Sequence, residues 1–193
     1  RRIRLNPLDL TPEQIAPAFP GAKLSTIARH WPLVRNALEE NRLTSARIVA
    51  YALGTIAAET AGFKPLTELP SRYNTLPGGV PYSAYEMRGG LGNCQPGDGA
   101  RFCGRGFIQL TGRANYAKYG ERIGVDLLAD PDAANEPRTA AALLALFVAD
   151  KESRIIAALS DGDMARARRA VNGGTHGLDR FTAAYNAILG VLQ

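Results

Sequence analysis

The chain has little of what several large protein classes need. No apolar run in its 193 residues approaches the roughly 18 that a membrane-crossing helix requires, so an integral membrane protein is not expected. Only two histidines and two cysteines are present. His30 and His176 form no recognisable ligand spacing with Cys94 and Cys103, which argues against zinc. G-x-S-x-G, H-E-x-x-H, G-x-x-x-x-G-K-[ST] and a helix-opening G-x-G-x-x-G are all absent. Nucleophilic serine chemistry, zinc proteolysis and nucleotide binding lose their usual signatures, and no cofactor or metal is expected. There is no internal repeat, low-complexity tract or charged tail. No basic helix carries interleaved aromatics, so nucleic-acid binding fits only the net charge.

What is there describes a globular protein with one sizeable core: 46% of residues are apolar and 21% charged. Residues 1–193 read as a single catalytic domain, expected to be a monomer. The start Arg1-Arg2-Ile3-Arg4 is basic, but Asn6-Pro7-Leu8-Asp9 follows without the apolar stretch of a secretory signal. Localisation stays open. A net charge of +5 and a pI near 9.5 favour anionic partners, among them nucleic acid, membrane surface and bacterial wall. The densest basic group, Arg166, Arg168 and Arg169, reads as a solvated helix face. Cys94 and Cys103 lie in a Gly-rich stretch, where a small disulfide loop is sterically allowed and compartment decides.

The pattern is mainly α. Thr11 caps a short helix to about Phe19, with Pro12 first and Gln14 completing a capping box. Ile27, Trp31, Val34 and Leu38 recur at helical spacing between Ser25 and Asn41, where Pro32 should kink or divide the segment into a helix pair. Thr44 caps a third helix through Ala61. Phe63 to Arg105 is rich in Pro and Gly and reads as irregular, with one small hairpin allowed in the middle. Helix returns near Ile108 to Arg122, from Pro137 to Glu152, and over Leu178, Phe181, Tyr185, Ile188 and Leu192.

Glu59 shares a helical face with Ala52, Ile56 and Phe63 and should point inward. A carboxyl group among apolar neighbours has its charged form disfavoured and can serve as a general acid; a buried Glu paired to an Arg is the other reading. Glu68 follows the helix end, in the loop Lys64-Pro65-Leu66-Thr67-Glu68. Two facing carboxylates, one protonated and one ionised, are the usual equipment for glycosidic hydrolysis, although a loop Glu on its own is ordinary.

Ala58-Glu59-Thr60-Ala61-Gly62-Phe63 resembles the helix-end motif of family 19 glycoside hydrolases, the plant-type chitinases and their phage endolysin relatives. Leu91-Gly92-Asn93, Pro96-Gly97-Asp98-Gly99 and the run Gly104-Arg105-Gly106-Phe107-Ile108-Gln109-Leu110-Thr111-Gly112-Arg113-Ala114-Asn115-Tyr116 extend it. Ala170-Val171-Asn172-Gly173-Gly174 with Gly177-Leu178 is similar to the family's Asn-Gly-Gly segment. The resemblance implies a lysozyme-like, two-lobed helical fold with a cleft between lobes, and an inverting mechanism. In it Glu59 takes the position of the general acid and Glu68 that of the base, with carboxyls expected about 6.5–9.5 Å apart. Thr111 matches the hydroxyl residue that helps hold the attacking water. Gln109, Asn115, Tyr116 and Asn172 match positions lining the sugar cleft, although Gln109, Asn115 and Asn172 could equally tie loops together.

Two departures stand out. Ala58 occupies the place where the family often has His. Tyr85-Glu86-Met87-Arg88 resembles a Tyr-Glu-Gly-Arg element with Met87 replacing Gly; Glu86 reads as structural, paired with an Arg, and is the runner-up for second carboxylate. The favoured activity is cleavage of peptidoglycan between N-acetylmuramic acid and N-acetylglucosamine. Chitin hydrolysis is the alternative, and a non-catalytic wall-binding module is a third, opposed by the retention of both Glu59 and Glu68. The turn-rich Leu91 to Arg105 segment, which looks closer to the endolysin-like relatives, and the positive charge favour peptidoglycan.

Overall fold

A computed structural model describes residues 5–193, with the side chain of Asn172 outside that description. The basic start, Arg1 to Arg4, lies outside the described residues. Among those described, the chain forms nine α-helices and no sheet: α1 (Pro12–Ile15), α2 (Leu24–Glu40), α3 (Ala46–Thr60), α4 (Asp98–Arg101), α5 (Arg113–Ile123), α6 (Pro137–Ala149), α7 (Glu152–Ser160), α8 (Met164–Asn172) and α9 (Leu178–Leu192). The packing divides into two compact units. One runs up to Lys64 and resumes over Leu144–Gln193; the other is Pro65–Leu143.

In the first unit α1 opens on the expected capping box, Thr11 accepting from the Gln14 amide while the Gln14 side chain accepts from Thr11. A single 3₁₀ turn, Ala16–Ala18, carries it to Phe19. Pro32 does not divide the next segment, which is one helix, α2. Its buried stripe of Ile27, Trp31, Val34 and Leu38 spans the proline, and Trp31 Nε1 donates to the Leu10 carbonyl at 2.7 Å. Proline removes one backbone bond; the continuous buried face offsets that loss. The third helix is capped by Ser45 rather than Thr44, because the Ser45 hydroxyl accepts from the Ile48 amide.

From Ile48 to Ala58 helix α3 is buried on every side, inside the unit, packed along α9 and against α7. Gly54 makes the α3–α9 approach feasible: a Cβ there would lie 3.0 Å from the Phe181 carbonyl and 3.1 Å from its ring. Phe181, Ala184, Tyr185, Ile188 and Leu192 form the buried stripe of α9. Helix α8, between α7 and α9, is only in part the solvated basic face expected from Arg166, Arg168 and Arg169, since Arg166 and Arg169 are exposed and Arg168 is not. Arg166 is exposed and pairs with Asp161, but Arg168 has no exposed surface. It holds the i+4 place between Met164 and Val171, where an amphipathic helix turns a side chain inward.

In the second unit the Pro- and Gly-rich stretch is irregular apart from short turns and α4. The middle hairpin reduces to one antiparallel bridge, Arg105 with Leu110. That bridge also displaces the expected helix start at Ile108. Gln109 takes φ +52° and Gly112 φ +92°, so helix begins only at Arg113. Asp98 locks the stretch to α5: its carboxylate, 1% exposed, accepts from Arg113 Nη2 at 2.6 Å, from Arg113 Nε and from the Cys94 and Gln95 amides. The Arg113 bond, reinforced by those amides, holds the Asp98 carboxyl down at about 2.

A carboxyl depressed below its ordinary value of about 3.9 contributes stability that is full above that pH and is lost as pH falls through about 2. Thermal midpoints should therefore drop between pH 4 and pH 2. Asp98→Asn should already lack this contribution at pH 7, with a midpoint lower by on the order of 5 °C, and should show a flatter slope through that acid window. Parallel slopes for variant and wild type would contradict the assignment.

Candidate active site

Glu59 lies in the last turn of α3, on the face that also carries Thr55 and Tyr51, one and two turns earlier. Its side chain keeps 9% of its surface, and Oε1 accepts a hydrogen bond from Arg168 Nη2. This is the arginine pairing that the residues alone left open beside the acid role. Beyond the helix the backbone turns sharply, with Ala61 at φ +25° and Phe63 at φ +54°. Both are non-glycine residues in a region L side chains disfavour, at a cost of order 1–3 kcal/mol each. Phe63 is held there by burial, by an edge-on contact with Phe19 at 4.6 Å and by its carbonyl 2.8 Å from His30 Nδ1.

Glu68, in the second unit, has a different setting. Its Oε1 accepts from the Gly104 amide at 2.6 Å, and Oε2 from Asn74 Nδ2 at 2.9 Å and from the Tyr85 hydroxyl at 3.3 Å. Its own amide donates to the Gly104 carbonyl, and its carbonyl accepts from the Tyr82 hydroxyl. All three of these partners of the carboxylate are donors, the arrangement an acceptor-only ionised group takes. A Cβ at Gly104 would crowd this contact, standing 3.0 Å from Glu68 Oε1 and 3.1 Å from Gln109 Oε1. Burial first, and then the charge of Glu68, push the Tyr85 phenol up, so it stays a donor.

Asn74 is 1% exposed and fully used. It accepts from the Ser71 amide and the Thr75 hydroxyl and donates to the Leu69 carbonyl as well as to Glu68. Sequence reasoning missed Asn74, Tyr82 and Tyr85, because an Asn in a Ser-Arg-Tyr-Asn turn signals only the turn.

The expected residues after Gly104 form one chain of contacts. Gln109 Nε2 donates to the Leu66 and Gly106 carbonyls, Thr111 Oγ1 donates to the Gln109 carbonyl at 2.8 Å, and Asn115 Nδ2 donates to the Thr111 carbonyl. Tyr116 is fully buried, donating to the Cys103 carbonyl at 2.6 Å and accepting from Arg105 Nη1. It anchors the turn from inside. Asn172 ends α8 in the first unit, and its side chain lies outside the described residues. Thus Glu68, Gln109, Thr111, Asn115 and Tyr116 share one unit, Glu59 and Asn172 the other.

Glu86 is structural in a way not expected. Where an arginine partner was expected, its two oxygens accept from the Gly97 amide at 2.6 Å and the Gly99 amide at 2.9 Å, pinning the start of α4. Cys94 is exposed, Cys103 is buried, and both thiols are free. Burial pushes the Cys103 thiol up, away from reactivity. Among the described residues no group of three or more His, Cys, Asp and Glu could hold a metal ion, and no helix is long and apolar enough to cross a membrane.

Residues 44–153 match the sequence profile of glycoside hydrolase family 19, described as Chitinase class I. A glycosyl hydrolase family 19 domain-containing protein of Haemophilus influenzae is 31% identical over 129 residues, covering 65% of this chain and 58% of that protein. An endochitinase of Arabidopsis thaliana is 29% identical over 166 residues, covering 83% of this chain and 56% of that protein. The matches span little more than half the length of these relatives. Chitinase C from Streptomyces griseus superposes with a TM-score of 0.59, covering 93% of this chain and 76% of that one at 20% identity. A mutant of chitinase C gives 0.62 with the same coverage and identity. At that identity the likeness establishes the fold, a lysozyme-like helical one.

Proposed function

The chain belongs to family 19 of the glycoside hydrolases, and from that premise we propose that it cleaves peptidoglycan at the β-1,4 bond between N-acetylmuramic acid and N-acetylglucosamine, as a single catalytic domain. Glu59 gives its proton to the glycosidic oxygen as the C1–O bond breaks. Glu68 takes a proton from the water that attacks C1 on the opposite face, which inverts the anomeric configuration. Thr111 has committed its own proton to the Gln109 carbonyl, leaving its oxygen to accept the water's other hydrogen.

The observation that carries the reading is the contrast between the two carboxylates. Glu59 is almost enclosed, whereas Glu68 is cradled by three donors that suit an ionised base. Preference for peptidoglycan rests on the net charge of +5, which raises encounter rates with an anionic wall. Chitin hydrolysis is the second reading, favoured by the name of the Arabidopsis relative.

Digestion of purified peptidoglycan and of colloidal chitin in parallel, with mass spectrometry of the released reducing ends, separates the two. Muramic acid ends at a higher rate than chitin turnover are expected. Comparable or faster release of N-acetylglucosamine oligomers from chitin would reverse the ranking.

A further inference from the structure

Arg168 is the one guanidinium among the described residues with both no exposed surface and an arm lacking a partner. Nη2 donates to Glu59 Oε1, and Nε donates to the His176 carbonyl at 3.1 Å, tying the guanidinium to the turn that leads into α9. The ring of Phe181 lies 6.0 Å from its Cζ. The third nitrogen, Nη1, is buried and makes no hydrogen bond. A buried donor left unmade costs roughly 1–3 kcal/mol, more when charged, so its persistence in a packed interior calls for a use.

We propose that Arg168 is the positioning residue of Glu59: one arm aims the acid, and the idle Nη1 closes a two-armed fork on the carboxylate that Glu59 becomes as its proton leaves. The inference rests on the reading of Glu59 as the acid. A neutral carboxyl offers one good acceptor oxygen, already taken by Nη2; an ionised one offers two, matching the parallel Nη1 and Nη2 donors of a guanidinium. The second bond therefore exists only as negative charge develops on Glu59. An interaction stronger in the transition state than in the ground state accelerates the step. The proton passes from Glu59 to the glycosidic oxygen, the electrons of the broken C1–O bond stay on that oxygen, and the charge left behind is held by Arg168. The Nε bond to His176 fixes the fork's orientation, which a lysine ammonium cannot reproduce.

The test is leaving-group dependence. Aryl β-glycosides are built on whichever oligomer the wild-type protein cleaves, one ending in N-acetylmuramic acid or one of N-acetylglucosamine alone, and a 2,4-dinitrophenyl leaving group, which departs without protonation, is compared with a phenyl group, which needs the acid. Arg168→Lys should lower kcat on the phenyl glycoside by roughly 10²-fold but on the dinitrophenyl glycoside by less than about threefold, the difference being lost acid assistance. Arg168→Gln should widen that gap. Because the readout is a ratio between two substrates on one sample, a smaller folded fraction in either variant cancels. Equal losses on both substrates would make Arg168 a packing residue and overturn the inference while leaving the glycosidase reading intact. A wild-type protein that cleaves neither glycoside nor polymer, with Glu59→Gln no worse, would overturn that reading and the inference with it.

Discussion

Glu59→Gln is expected to lower turnover of the wall polymer by about 10²–10⁴-fold, the usual contribution of a general acid, while the protein still folds and binds polymer. The amide keeps the shape of the carboxyl and an oxygen that can accept from Arg168 Nη2, but it has no proton to give. The acid is neutral in the resting enzyme, so the amide takes no counter-charge from the buried Arg168 guanidinium and the thermal midpoint should change by no more than a few degrees. Rates are therefore to be compared well below both midpoints, with polymer pull-down in parallel. A folded variant that hydrolyses near the wild-type rate would remove Glu59 from the chemistry.

Glu68→Gln should cost a similar factor for a different reason. The glutamine cannot take a proton from water, and its amide nitrogen must face either the Gly104 amide or Asn74 Nδ2 and the Tyr85 hydroxyl, donor against donor. Asn74→Asp approaches the same contact from the other side by placing an acceptor against Glu68 Oε2, and should lower kcat more than it raises KM. Glu86→Gln is the control. Its carboxylate bonds to the Gly97 and Gly99 amides, so the midpoint should fall while hydrolysis continues below it. Loss of activity in Glu86→Gln, with Glu68→Gln still active, would transfer the base to Glu86.

Much of the scaffold was legible because local rules and packing agree. The Thr11 capping box, the α9 stripe and the apolar length of α3 appear where periodicity puts them. Where they failed, a longer-range contact won. Pro32 is carried inside α2 by a buried face on both sides of it, and the Arg105–Leu110 bridge with Gln109 at φ +52° postpones α5 to Arg113.

Of the candidate site, the carboxylates stood out through motif and helical phase, but their partners did not. Asn74 reaches Glu68 from within a turn, and Arg168 reaches Glu59 from 109 positions away. No spacing rule joins residues that far apart. A faint signal did exist for Arg168: α8 has too few apolar residues to fill its inward stripe, so a charged side chain had to take one place.

The central claim is hydrolysis by an acid and a base acting on opposite faces of one sugar, and it fixes a stereochemical outcome. Proton NMR of a fresh digest, recorded before the anomers equilibrate, reads the configuration at the newly formed reducing end. The account predicts that the β-linked substrate yields the α-anomer first. A product that appears first as the β-anomer would contradict it, since retention requires a covalent glycosyl-enzyme intermediate and carboxyls only about 5–5.5 Å apart.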